Sequence, residues 1–143
     1  MKARKARAFL ERVQKYDCII NNKMIERDQW KAMATSATAP MGGERVQSSG
    51  SQQKMADAVG RYVDIEAQIN EYIDKLYDVK KEVLDVIEQL DVKSYDLLHK
   101  VYIQHISLAE VSVIYDCSYS SVATNHGRAL QQVEEILNER ETE

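Results

Sequence analysis

The three histidines and two cysteines are the residues of this sequence best suited to acid–base, nucleophilic or metal chemistry, and their spacing supplies none of it. His99, His105 and His126 fall on different faces of the helices expected around them, and no His, Cys and carboxylate set has the short spacing of a metal site. Cys18 and Cys117 are far apart and form no CxxC pair, so both are expected to act as small buried hydrophobes in a reduced, cytoplasmic protein. No nucleophile lies in an elbow or glycine loop, and Gly42-Gly43 lacks the preceding strand and following Gly-Lys-Ser/Thr of a phosphate loop. Neither an enzyme, nor a metal, nor a cofactor is expected; the chemistry left is that of binding.

Charge narrows the kind of binding. The 143 residues carry a formal net charge of −4, but residues 1 to 31 hold nine Lys/Arg against four Asp/Glu, while residues 91 to 143 hold four against nine. The basic end includes Lys2, Arg4, Lys5 and Arg7, candidate contacts to the phosphates of a nucleic acid. The competing reading is a solvated face of a first helix, the usual fate of a charge run.

The elements that must position these groups are helical. A single proline and five glycines in a chain that is 44% hydrophobic leave few places to break a helix, so an all-α fold is expected. Residues 1 to 34 form a basic amphipathic segment of one helix or two, with Phe9, Leu10, Val13, Tyr16, Ile19, Ile20, Met24 and Ile25 mostly three or four apart. Residues 35 to 53, rich in Thr, Ser, Ala, Gly and Gln around Pro40, read as a flexible linker. Residues 54 to 90 carry the clearest pattern. Met55, Tyr62, Ile69, Leu76, Val83 and Leu90 recur every seven residues, with Ala58, Ile65, Tyr72, Val79 and Val86 three later, and Ile73 and Ile87 widen the stripe.

Such a helix is roughly 50 Å long and must bury its stripe, against either the first segment folded back across the linker or the same helix of another subunit. We adopt the intramolecular pairing, with a homodimer as the alternative. No stretch approaches the length of a membrane span, and no membrane partner is expected.

Past Leu90 the pattern shortens. Ser94 to Ile103 places Tyr95, Leu97, Leu98, Val101 and Tyr102 on one broad face. Ser107 stands at an N-cap position with Glu110 three residues on, the spacing of a capping box. A short helix from Leu108 to about Tyr115, a turn at Asp116-Cys117-Ser118, and a last helix to about Asn138, capped by Ser118 or Ser120, follow. Two helices joined by such a turn, the second longer, form a helix-turn-helix suited to a DNA major groove.

Residues 84 to 137, LDVIEQLDVKSYDLLHKVYIQHISLAEVSVIYDCSYSSVATNHGRALQQVEEIL, resemble the −35-reading region of sigma-70-type factors. The layout of the whole chain resembles the small phage-encoded late-transcription regulators of the ArpU and RinA type from prophages of Gram-positive bacteria. The resemblance implies a sigma-like helix-turn-helix module over residues 91 to 143. Leu108, Val111, Tyr115 and Cys117 would take its buried positions, and Asp116 stands where the family usually carries glycine. It implies double-stranded DNA as partner, with RNA polymerase as a second, and a recognition helix presenting Tyr119, Ser120, Ser121, Ala123, Thr124, Asn125 and Arg128 to DNA. An Asn amide can read adenine and an Arg can take guanine or phosphate. Val122, His126, Ala129 and Leu130 alternate with these and are expected to pack inward. Poverty in Lys/Arg, with Glu134, Glu135 and Glu139 following, implies weak affinity for isolated DNA. The competing function is an oligomeric coiled-coil interaction protein or a small-terminase-like DNA-packaging subunit.

Overall fold

The computed structural model describes residues 3–38 and 49–142, and every regular element among them is helical. The order is α1 (Arg4–Thr38), α2 (Ser49–Ile87), α3 (Val92–Leu98), a π-helical segment (His99–Ile103), α4 (Leu108–Ile114) and α5 (Tyr119–Glu141). Among the described residues no helix is long and apolar enough to cross a membrane. The first segment is one uninterrupted helix rather than two. Helix also extends into both ends of the expected linker, at residues 35–38 and 49–53, and the remainder of it lies outside the described residues.

The chain divides into two compact units: Met1–Tyr16 with Leu76–Glu143, and Asp17–Lys75. In each, α1 and α2 lie side by side and antiparallel, the intramolecular one of the two pairings left open by the heptads. In the second unit Lys23 Nζ donates to Gln68 Oε1 at 2.6 Å. There Arg27 also pairs with Glu66 at 3.8 Å, and the Lys31 ammonium sits 5.7 Å from the Tyr62 ring centroid. Ile20 of α1 and Ala58, Ile65 and Ile69 of α2 are buried in this hairpin. Tyr62 and Tyr72 are half-buried at its seam.

In the first unit, Ala6, Leu10 and Val13 of α1 and Val79, Val83, Val86 and Ile87 of α2 share a core with Leu98, Tyr102, Ala129, Leu130 and Val133. Each fully buried Leu, Ile or Val there contributes roughly 1.5 to 3 kcal/mol by leaving water. The stripe widens as expected at Ile87, which is fully buried, but not at Ile73, which is 43% exposed.

Helix α2 ends at Ile87, earlier than Leu90. Gln89 and Leu90 donate to the carbonyls of Val86 and Ile87, a tightened last turn. Asp91 then takes an extended backbone (φ −65, ψ 158) and its carboxylate accepts from the Ser94 N–H at 3.1 Å, capping α3. That bond holds the Asp91 carboxyl below its ordinary value. Beyond α3 the π-helical segment turns Tyr102 into the core with Leu98, while Leu97 joins a second, smaller cluster with Val111 and Val122. One short stretch thereby serves two faces.

Candidate nucleic-acid interface

The helix-turn-helix rests on three local devices. Ser107 is extended (φ −70, ψ 157) and its Oγ accepts from the Glu110 N–H at 3.2 Å, the cap expected at α4. At the end of α4 the Asp116 N–H donates to Val113 O at 3.1 Å and the Cys117 N–H to Ser112 O at 3.0 Å. This is a Schellman closure, and it requires Asp116 in the left-handed region (φ 54), where glycine is the usual residue. Ser118, rather than Ser120, caps α5, with its Oγ accepting from the Ser121 N–H at 3.1 Å.

Helix α5 turns Val122, His126, Ala129, Leu130 and Val133 inward, all of them buried. The four residues expected to face inward therefore do so, and Val133 extends their stripe. His126 shares a 2.9 Å hydrogen bond with the Tyr102 hydroxyl, and the two rings stack 5.8 Å apart. Burial first, and the Arg7 guanidinium second, push the His126 imidazole below its ordinary value. Burial likewise pushes Tyr102 up to about 12. This histidine is a satisfied core group.

The opposite side of α5 carries Ser120, Ser121, Thr124 and Arg128, all exposed, with Ala123 and Asn125 half-buried on its flanks, while Tyr119, exposed in the first turn, lies by spacing on the side of His126 and Leu130. Ser121, Asn125 and Arg128 fall on one flank by their spacing, Ser120 and Thr124 point straight out, and Ala123 sits on the other flank. Ser121 and Asn125 line a groove of about 450 Å³ with Val92, Lys93, Asp96, Tyr115 and Cys117.

The groove wall is fixed by Asp96, which accepts from the Tyr115 hydroxyl and from Lys100 Nζ at 2.9 Å. These bonds hold the Asp96 carboxyl down, and burial together with Asp96 holds the Tyr115 phenol up. The Asp96 charge is thus answered within the fold, while Lys93 projects from the first turn of α3 with no ion pair among the described residues. Sequence reasoning missed Lys93; the signal was Asp91, whose spacing to Ser94 marks a helix start.

One expectation, that both cysteines are buried, is corrected. Cys18 and Cys117 are both exposed. Cys18 lies on the side of α1 away from α2, and Cys117 belongs to the tight turn, where no layer of structure covers it; it therefore does not share the burial of Val111. The basic start of α1 meets the C-terminal end of α5. Lys5 Nζ donates to Asn138 Oδ1 at 3.0 Å and to Glu141 Oε2 at 2.7 Å, and Glu134 Oε1 accepts from the Ala6 N–H at 2.8 Å. Asn138 is roughly 20 Å along the helix from Asn125. Arg4 is exposed in the first turn of α1, Arg7 lies beside Tyr102 and His126, and Lys2 lies outside the described residues. Part of the acidic end of α5 is thus a partner for α1.

Among the described residues no three His, Cys, Asp or Glu side chains gather as a metal site. No family model, curated protein or solved structure matches the chain.

Proposed function

We propose that this protein is a DNA-binding transcription regulator that reads promoter or operator DNA with α5, in concert with RNA polymerase and without catalysis. The observation that carries this reading is α5 itself. Its capped start follows a left-handed turn, one face is buried through His126 and Leu130, and Ser120, Ser121, Thr124, Asn125 and Arg128 are left on the outward half. In this assignment Asn125 reads a base edge, Arg128 takes guanine or a phosphate, and the serines and Thr124 hold the backbone. With so few cations near α5, phosphate neutralisation is modest, and polymerase supplies the remaining hold on the promoter. The sigma-like resemblance of residues 84 to 137, and the resemblance of the whole chain's layout to phage late-transcription regulators, support the same assignment.

The test is salt-dependent binding of the full chain to fragments of its neighbouring DNA, in competition with random duplex, with and without RNA polymerase. Specific retention of one fragment is expected. Asn125→Ala and Arg128→Ala should each cost roughly 1 to 3 kcal/mol of discrimination with helicity unchanged. Equal retention of every fragment under both conditions refutes the proposal.

A further inference from the structure

The second unit is a two-helix hairpin, and α2 presents two flanks beside its seam. One flank, at Asp57, Arg61, Asp64, Gln68, Glu71 and Lys75, is polar at every position, as a solvated flank should be. The other, reached by the same alternation of three and four residues, reads Val59, Val63, Glu66, Asn70 and Ile73. Val59, Val63 and Ile73 are 47%, 55% and 43% exposed. Both flanks belong to one helix, so the contrast between them is not a matter of composition. Large apolar groups aligned on one side and absent from the other mark a contact surface.

We propose that this flank is a self-association face, on which a second copy of the chain lays its own hairpin antiparallel about a two-fold axis. The order Val63, Glu66, Asn70, Ile73 has the same polarity in both directions, apolar, polar, polar, apolar. An isologous contact needs such self-complementarity and a contact with an unrelated protein does not. With the axis midway between Glu66 and Asn70, Val63 of each copy meets Ile73 of the other, and each Asn70 amide donates to the Glu66 carboxylate opposite. Glu66 can accept, since among the described residues it is held only by Arg27 at 3.8 Å. A parallel pairing would set Glu66 against Glu66, like charges in contact.

The test uses the full chain with Cys18→Ser and Cys117→Ser, to silence the exposed thiols. Sedimentation at tens of micromolar should give the mass of two chains. Val63→Lys with Ile73→Lys, each placing a charge in the contact twice, should raise the dissociation constant by about 100-fold or more with helical circular dichroism retained. A single-chain mass before those changes, a larger ring, or a double variant that stays folded and dimeric overturns the proposal. Cysteine cross-linking decides the geometry even if the lysine variant unfolds. In that background Glu66→Cys and Asn70→Cys should oxidise to a cross-linked pair faster when the two variants are mixed than in either alone. Faster cross-linking in either alone, or none in the mixture, overturns the antiparallel face.

Discussion

Asp116 is the residue at which backbone geometry makes the sharpest quantitative claim. It holds φ 54 at the closure of α4, and its side chain forms no hydrogen bond among the described residues that would offset the strain. An L side chain in this region costs about 1 to 2 kcal/mol, less for Asp than for most. Glycine removes that cost but gives back about 0.5 to 1 kcal/mol through the greater freedom of the unfolded chain. Asp116→Gly should therefore be stabilising by no more than about 0.5 kcal/mol, while Asp116→Ala should cost about 0.5 to 1 kcal/mol and Asp116→Val more. Urea unfolding followed by circular dichroism measures the series, with an unchanged slope required so that midpoints report stability. The order of stability should be Gly, Asp, Ala, Val. If Ala or Val equals or exceeds Gly, the chain does not make a left-handed turn at this residue, and the Schellman closure of α4 is wrong.

The caps give a paired test. Ser107→Ala and Ser118→Ala should each destabilise by about 1 kcal/mol in urea titrations, while Ser120→Ala changes little; a larger loss at Ser120 would move the start of α5. His126 makes stability depend on pH. Its folded form holds a proton less readily than the unfolded chain, whose value is near 6.5, because of burial and Arg7. The stability it lends is therefore full above pH 6.5 and falls as pH drops through 6.5 toward the folded value. Thermal melts across that range should show the decline, and His126→Gln should flatten it; an unchanged slope would show that the imidazole is not buried. Leu98→Ala, which opens a cavity beside Tyr102 in the main core, should cost roughly 2 to 5 kcal/mol, and a loss below 1 kcal/mol would contradict the packing of α3.

Much of the fold was legible because its signals are local or periodic. The heptad from Met55 to Val86 marks a helix whose seam must be covered. Ser107 with Glu110 marks the start of α4, and the interleaving of Val122, His126, Ala129 and Leu130 separates the two sides of α5. Each depends on residues within a turn or two of one another. The positions of Cys18, Cys117, Lys5 and Lys93 were not legible, since a side chain's exposure or partner is set by whatever element arrives from elsewhere in the chain. Lys5 is drawn to Asn138 and Glu141 across 133 and 136 positions of sequence, a pairing no spacing announces.

Residue order alone determined that this chain is helical, where most of its helices begin, and which face of each is apolar, because helix periodicity, capping and turn chemistry act over a few residues. Only the tertiary structure decided that α1 covers the heptad seam within one chain, that the acidic end of α5 receives the basic start of α1, and that Asn125 lies in a groove beside Lys93. These are long-range contacts, selected by burial and charge pairing after the helices exist.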